Sequence, residues 1–417
     1  MQEYQEIKAS FEKFIQSIST TSDDLDFRKK SLKNFLQKGY PVSKDEDWKY
    51  SPLTNDLRKF TTFDFPKDQN KILPDDTKEL YEHYAVIFID GWMVSEDITE
   101  NGFSIKKNNL FLKSVKKEGD NPVLNLNNAF ASTGYLIELN KNCSIDKPIV
   151  IYNYFSKVHH ASFCSFKNFI LLNENSKATI YEKNIYLSDK EYLITANTEI
   201  FLSKNSDLKK YNLNCNNKYS TIFNFSKANL DESSNLEFFT FSENVNSCRD
   251  ESVINLNGKN SFASINALQL QHSGFVHEIK LQINHNEEET KSSQFVKSAL
   301  HDESIAVFQG KIFVDSKAQK TDGYQLSRAL LLSDNVKFFS KPELEIYADD
   351  VKCSHGSSSG SIDEESIFYL RSRGIDEKSA KELMINGFLA EVIDKVSNKQ
   401  FREIFYKKIG HNLENAH

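Results

Sequence analysis

The sequence predicts a mainly β protein, a β-solenoid with helical segments on both sides, from two contrasts in periodicity and one repeat. Residues 1–38 and 361–408 have the apolar spacing of amphipathic helices, whereas residues 131–347 are a succession of short β-type runs. Within the β region a short phrase recurs about every 30 residues. We therefore divide the chain into an N-terminal helical or mixed domain (1–120), a solenoid core (121–356) and a C-terminal helical domain (357–417).

The N-terminal segment is predicted to be helical as far as Lys38. Its apolar residues form two stripes at helical spacing, one made of Ile7, Phe11, Phe14, Ile15 and Ile18 and the other of Leu25, Leu32, Phe35 and Leu36. Gly39 and Pro41 then predict a stop and a turn. An acidic and aromatic phrase at residues 45–50 follows, and residues 85–92 are typical of a buried strand that ends in a turn.

The repeated phrase of the β region is a leucine, a few polar residues, a serine and then alternating polar and apolar residues. Its copies begin at Leu172, Leu202, Leu230, Leu256 and Leu300, and variants begin at Leu139 and Leu332. One longer gap holds what we interpret as an acidic insert, residues 287–289. A solenoid coil cannot bury its apolar face alone, so these leucines are expected to stack as inward rungs. The alternative is a β-sandwich whose turns resemble one another by chance.

The C-terminal segment is predicted to contain four helices that form a small bundle. The first has acidic residues 363–365 in its opening turn and ends at Gly374. Asp376 caps a second helix that ends at Asn386-Gly387. The third and fourth carry apolar stripes, made of Leu389, Val392, Ile393 and Val396 and of Phe401, Ile404, Phe405 and Ile409.

Composition disfavours several classes of protein. The net charge of −7 is spread along the chain and basic runs are short, so no nucleic-acid partner is expected. Five separated cysteines without a CxxC pair argue against a disulfide framework or a closed zinc site. With neither an apolar signal region nor a long apolar run, we expect no membrane partner and a cytoplasmic location. The GxxxxGK[ST], GxSxG, HExxH and GxGxxG signatures are absent, and no catalytic residue is predicted.

The sharpest chemical signal is the run from Asp349 to Gly356. If a strand continues through it, Asp349, Cys353 and His355 share one face and offer oxygen, sulfur and nitrogen donors. Such a set does not close a tetrahedral site, so the sharper hypothesis is a metal site shared with a partner chain. The simpler alternative is a packed cysteine beside a surface histidine. Three further histidines of the β region are more readily interpreted as structural than as metal ligands, namely His272, His277 and His285.

From about residue 284 to 374 the chain resembles the SufB/SufD family of the SUF iron–sulfur cluster assembly system. The stretches that carry the resemblance are Phe308–Ile312, Ala318–Asp322, Leu330–Ser333, Pro342–Gly356 and Asp363–Ile375. Weaker resemblance covers residues 46–53 and 127–134. The Cys353-Ser-His355-Gly phrase is similar to the SufD branch of the family. Ser357–Ser359 and Ser361 depart from its pattern but leave the cysteine and the histidine in place.

The resemblance implies a right-handed parallel β-helix and a non-catalytic scaffold role. It implies pairing with a SufB subunit through the late coils, docking of the ATPase SufC on the C-terminal helices, and iron or a nascent cluster held transiently at the SufB interface. ATP hydrolysis by SufC would rearrange the pair. His355 matches the interface histidine of the family, and Cys353 matches a nearby cysteine of less certain role. We assign SufC docking to Phe368, Tyr369, Arg371 and Arg373.

Three questions stay open at the level of sequence. The isolated chain could pair with itself as a homodimer. A parallel β-helix that acts on carbohydrate, as a lyase or a hydrolase, would also have coils of this kind, although it needs a groove of clustered charged residues that the sequence does not reveal. A third hypothesis is a structural module that supports SufB and SufC without a metal role.

Overall fold

The protein is described here by a computed structural model that covers residues 2–18, 20–63, 81–108, 121–156, 163–187 and 189–413. Its helices are α1 (Gln2–Ser17), α2 (Ser22–Lys38), α3 (Leu53–Leu57), α4 (Pro122–Phe130), α5 (Glu364–Ser372), α6 (Glu377–Ile393) and α7 (Lys399–Leu413), with a 3-10 turn at Glu46–Trp48. In the described ranges, no helix is both long and apolar enough to cross a membrane.

The strands make up most of the chain between α4 and α5, with four short ones before α4. In chain order they are β1 (Tyr84–Ile89), β2 (Trp92–Met93), β3 (Ile98–Glu100), β4 (Phe103–Lys107), β5 (Tyr135–Leu139), β6 (Ile149–Phe155), β7 (Phe163–Leu172), β8 (Lys177–Tyr186), β9 (Leu193–Leu202), β10 (Asp207–Leu230), β11 (Asn235–Leu256), β12 (Phe262–Gln271), β13 (Val276–His285), β14 (Lys291–Leu300), β15 (Ile305–Val314), β16 (Thr321–Leu331), β17 (Lys337–Ile346) and β18 (Val351–Gly360).

All of these strands except β2, β3 and β4, which pair antiparallel, stack in parallel register as two walls of a solenoid. The first wall contains β1, β6, β8, the first parts of β10 and β11, then β12, β14, β16 and β18. The second wall contains β5, β7, β9, the second parts of β10 and β11, then β13, β15 and β17. Inward side chains of both walls form one apolar cluster. The predicted parallel β-solenoid with helices at both ends is confirmed.

The leucines of the repeat form the expected inward ladder in the second wall. Leu172 pairs with Leu202, which pairs in turn with Leu230, and all three are buried. Leu256 takes the same position in the next coil, and His285 and Val314 take it in the two coils after that. Each leucine therefore packs between two neighbouring coils, which is the arrangement a stacked repeat requires.

The serine of the repeat closes the turn after each leucine. The Ser176 hydroxyl donates to the backbone oxygen of Asn173 at 2.6 Å, and the Ser206 hydroxyl donates to that of Ser203 at 2.7 Å. The residue before each serine lies in the left-handed region, with φ of 58° at Asn175 and 57° at Asn205. Asparagine tolerates that conformation better than most residues, which explains its recurrence before the serine.

Two details of the predicted repeat are wrong. Residues 287–289 are not an insert, because they form the regular turn of the next coil. Glu289 has a φ of 59° and the Thr290 hydroxyl donates to the Glu287 backbone oxygen at 3.0 Å, as the serines do elsewhere. The copy at Leu300 belongs to the opposite corner, since Leu300 pairs with Gln271 and Leu331 in the first wall. The turns at both corners use similar residues, so the repeat identified in the sequence combined leucines that belong to two separate ladders.

The N-terminal helices cover the outer surface of the second wall. The predicted stop of the helical segment is confirmed, because α2 ends at Lys38 and Gly39 has a φ of 73°. Phe14, Phe35 and Phe130 of α1, α2 and α4 share an apolar cluster with outward residues of the wall such as Phe163 and Phe223. This cluster contains every member of the two stripes seen in the sequence except Leu25.

The C-terminal helices cover the outer surface of the first wall, and two expectations about them are wrong. Helix α6 continues through Asn386 and Gly387, so the segment has three helices and not four. The helices also do not form a bundle with a core of its own, because Phe401 and Phe405 pack among wall residues such as Tyr211. Contact with the wall offsets the roughly 1 kcal/mol that a glycine costs inside a helix.

Strands of the solenoid lie on both sides of the two predicted domain boundaries. Strand β1, which precedes residue 120, pairs with β6, and β18 extends past residue 356 to Gly360. The domain division stays a prediction.

The acidic and aromatic phrase at residues 45–50 lies across the outer surface of the second wall. Trp48 is buried and lies under the Arg249 guanidinium, whose carbon is 4.0 Å from the ring centroid. Arg249 is itself buried and pairs with Glu278 at 2.7 Å. Further along, Lys341 of β17 pairs with Glu46 at 2.6 Å. We call residues 45–50 the strap, because they join the N-terminal region to several successive coils.

Candidate metal-binding site at the last coil

The last coil, β17 and β18, differs from the others because it has a neighbour on one side only. In the described part of the chain, β17 pairs in parallel with β15, and β18 pairs with β16. The other edge of each strand keeps backbone groups that no further coil pairs. A free strand edge is a template for another chain, so this end of the solenoid is chemically open.

Two of the predicted ligands lie on the inward face of β18. Cys353 is opposite Gly323 and His355 is opposite Gln325 in the register with β16, and Gly323 and Gln325 both point into the solenoid. Asp349 does not join them. The strand begins at Val351 and Asp349 is an exposed residue of the preceding turn, so the expected row of three donors on one strand face is wrong.

Cys353 is half-buried among small and aliphatic side chains. It packs against a cluster that includes Ile312 and Val314 of β15. A Cβ added to Gly323 would lie 3.3 Å from the Cys353 sulfur, so glycine leaves room for the thiol. Burial raises the pKa of Cys353, and the nearby Asp322 adds to the rise. The thiol is therefore protonated at neutral pH, and a metal ion would have to displace its proton.

His355 lies at the same open end and is exposed to solvent. Together Cys353 and His355 offer one sulfur and one nitrogen. Wherever the structure describes the chain, neither residue belongs to a group of three close histidine, cysteine or carboxylate ligands. The pair is thus at most part of a coordination sphere, since iron and zinc sites with these donors use four or more ligands.

The α5 residues assigned to partner docking lie together and point outward. Phe368 is 73% exposed and Tyr369 is 57% exposed, which is unusual for large aromatic side chains. The Arg373 guanidinium lies over the Tyr369 ring at 5.2 Å, and Arg371 pairs with Glu377 at 3.3 Å. The helix therefore presents two exposed aromatic side chains with two arginines close to them in sequence.

The histidines interpreted as structural have different surroundings. His285 is buried, and its ring nitrogens lie 2.8 Å from the Thr290 and Ser292 hydroxyls. Burial lowers its pKa to about 4. His277 Nε2 forms a 2.7 Å hydrogen bond with an Asp250 carboxylate oxygen. His285 therefore has a partner at each ring nitrogen, as a structural histidine needs, whereas Nδ1 of His277 is a buried atom with no hydrogen-bond partner.

Two groups of possible ligands were missed by the sequence analysis. Cys248, Asp250 and His277 bring one donor atom each to within 4.8 Å of one another inside the solenoid, and His272, His301 and Asp302 do so near the surface. Burial and the adjacent His301 ring lower the pKa of His272. In each group one histidine, His277 or His272, lies one coil away in sequence from the other two members, so only the register of the coils brings it to them. A search for ligands repeated at the coil period could have found both.

The interior of the middle coils has little free space. Glu182 and Lys210 form an inward ion pair at 2.9 Å beside a cavity of about 40 Å³. Such a volume holds one or two water molecules but no organic substrate.

Comparison with known proteins gives two results. The family model described as "SUF system FeS cluster assembly, SufBD core domain" matches residues 156–388. The chain is 29% identical over 390 residues to the iron–sulfur cluster assembly protein SufD of Escherichia coli K12, covering 92% of this chain and 91% of that protein. It is 24% identical over 308 residues to the protein of the same name from Bacillus subtilis 168, covering 72% and 69%.

Proposed function

Because the chain belongs to the SufB/SufD family of iron–sulfur cluster assembly proteins, we propose that it is a non-catalytic scaffold subunit whose last coil holds part of a site for iron or a nascent cluster. The observation that carries this proposal is the position of Cys353 and His355 on the inward face of β18, beside free strand edges. Iron or the cluster is the cargo of the site, and the isolated chain does not bind it tightly.

A partner must supply the remaining ligands. Thiolate and imidazole suit iron, but two donors leave most of the coordination sphere to water. The free edges of β17 and β18 offer unpaired backbone groups to another strand. We infer that a SufB subunit adds its own coils here and brings its ligands against Cys353 and His355. A second copy of this chain would meet the same edges when SufB is absent, which is the basis of the homodimer hypothesis.

The growth of cells that carry His355→Ala as the sole copy tests this proposal. The exposed side chain is not needed for folding, so we expect normal SufB pairing with sharply reduced cluster-dependent growth under iron limitation. Cys353→Ala should match that loss if the thiol is a ligand and should have a smaller effect if it only packs.

Lys352→Ala is the matched control, because Lys352 is also exposed but lies on the opposite face of β18. Full complementation by His355→Ala would overturn the metal role and leave a structural subunit. The iron content of the purified complex, with and without His355, separates the same two hypotheses.

Docking of the ATPase SufC is proposed for the α5 surface formed by Phe368, Tyr369, Arg371 and Arg373. ATP hydrolysis by SufC would then rearrange the pair of scaffold subunits. Exposed aromatic residues beside arginine are typical of the centres of protein interfaces. We expect Phe368→Ala combined with Tyr369→Ala to abolish SufC pull-down.

Point variants are a sharper test of docking than truncation. Deletion of the whole C-terminal segment would expose the wall residues that α6 and α7 cover. Lys378→Ala on the exposed surface of α6 is the control. Normal SufC binding by the double variant would place the docking surface elsewhere.

We place the protein in the cytoplasm as part of this proposal. All five cysteines are free in the structure. Free thiols persist in reducing compartments, where iron–sulfur assembly also requires them. Fractionation of cells that express the chain at its native level checks this location.

A further inference from the structure

We propose that His272, His301 and Asp302 form a second binding site, for a divalent transition-metal ion such as Zn²⁺ or Fe²⁺, separate from the pair on β18. The proposal goes beyond the scaffold function and does not depend on it. It rests on the geometry of the three side chains, on the cavity beside them and on the charge of that cavity.

The coil register brings the two histidines together. His272 directly follows β12 and His301 directly follows β14, and the last residues of these strands, Gln271 and Leu300, are paired. The two imidazole rings are 5.3 Å apart between centroids. One ligand atom from each histidine and from Asp302 lies within 4.8 Å of the other two.

The contact between His301 and Asp302 has the geometry of two ligands and not of a hydrogen bond. His301 Nδ1 is 2.7 Å from an Asp302 carboxylate oxygen, yet Nδ1 is a buried atom with no hydrogen-bond partner because the two groups are not aligned. Ligand atoms at right angles around an ion with bonds of about 2.1 Å lie about 3 Å apart. A cation between these atoms would satisfy both.

The surroundings favour a hydrated cation. Both histidines line a cavity of about 590 Å³ between the solenoid and the C-terminal helices, which leaves room for water ligands. Three carboxylates and one lysine also line this cavity, Asp334, Glu364, Glu382 and Lys381. The resulting negative charge attracts a cation. Two imidazoles and one carboxylate with open positions are the donor set of iron(II) and catalytic zinc sites.

This site is distinct from the other candidate positions. In the register of the first wall, His355 is aligned with Gln325, which is aligned in turn with Gln294. His301 lies several residues beyond Gln294 in the direction of the strand, and this separates the two sites by roughly 20 Å. The interior group of Cys248, Asp250 and His277 differs in kind, since its histidine and carboxylate already form an aligned hydrogen bond and it lies beside cavities too small for hydrated metal.

Cobalt(II) titration of the purified full-length chain, stripped of metal with a chelator, tests the proposal. We expect one equivalent of Co²⁺ to give visible ligand-field bands without thiolate charge-transfer absorption. His272→Ala and His301→Ala should each weaken binding at least tenfold. Asp302→Asn, which removes only a charge from an exposed side chain, should weaken it in the same direction. Thermal melts of all three variants identify any that fail to fold.

The controls separate this site from the others. His355→Ala and Cys248→Ser should bind Co²⁺ as the unmodified chain does. Strong charge-transfer absorption that disappears in Cys248→Ser or in Cys353→Ala would overturn the proposal by moving the metal to a thiolate site. Unchanged affinity in the folded Asp302→Asn and His301→Ala variants would overturn it as well. Because His355→Ala is silent here, failure of the proposed function and failure of this site give different results.

Discussion

The middle coils and the last coil follow the same alternation of side chains but differ in how many neighbours they have. Leu202 in the middle lies between Leu172 and Leu230 and is buried. In the last coil the inward residues of β18 meet β16 on one side only, so Cys353 is half-buried and His355 is exposed. An inward position therefore builds the core when coils stack on both sides, and becomes available for ligands when one side is free.

The largest expected effect comes from a carboxylate placed in the middle ladder. Leu202→Asp buries an unpaired charge between two coils, so we expect it to cost about 4 kcal/mol or more and to unfold the protein. His355→Asp places the same group in the last coil and should leave the unfolding midpoint close to that of the unmodified chain. Leu202→Met, a volume-conserving change, should cost less than about 1.5 kcal/mol. A normal melting temperature for Leu202→Asp would contradict the stacked core.

The strap offers the same comparison on the outer surface. Arg249→Met leaves Glu278 buried without its cation, although Lys280 still pairs with Glu251 at 3.4 Å, and we expect a loss of about 3–5 kcal/mol. Lys341→Met removes the strap contact to the last coil, where Glu46 is exposed, and should have little effect on urea unfolding. Equal losses of stability from the two substitutions would show that the strap contacts contribute as much at the exposed last coil as at the buried middle coils.

A smaller effect is expected from the pH dependence of His285. Burial lowers its pKa from 6.5 to about 4, so the unfolded chain binds more protons between these values and stability falls as the pH drops through this window. The difference is worth roughly 3 kcal/mol. Urea unfolding at pH 7.5 and pH 5 should therefore show a smaller difference for His285→Leu than for the unmodified chain.

Glu243 acts in the opposite direction, because burial raises its pKa to about 7 and its contribution to stability is lost as the pH rises from about 4.5 to 7. Comparing the pH dependence of stability between variants is thus more informative than one pH profile of the unmodified chain. An unchanged profile in His285→Leu would contradict a neutral buried imidazole at position 285.

Much of the fold was predictable from local patterns. The N-terminal helices follow from the apolar spacing within one segment, and the β-solenoid and the leucine ladder follow from a phrase that recurs along the chain, as at Leu202. Errors arose where a pattern has two structural meanings. Asn386-Gly387 is a common helix end, but continuous packing on the wall carries α6 through it. Leu300 follows the repeat phrase but lies at the other corner of the coil.

The candidate sites were predictable only in part. The strand spacing that puts Cys353 and His355 on one face can be deduced from the sequence, whereas the start of the strand at Val351, which leaves Asp349 out, cannot. The neighbouring positions of His272 and His301 depend on the register between coils. That register follows from turn lengths that the leucine phrase alone did not determine.

Hydrogen exchange of the backbone amides in β17 and β18, measured with and without a SufB subunit, tests the central claim most directly. If the last coil receives the partner, amides of Val351–Gly360 should exchange much more slowly in the complex, while those of Leu193–Leu202 in the middle should not change. A stable complex in which β17 and β18 exchange as fast as in the isolated chain would contradict the claim that the open end is the assembly site.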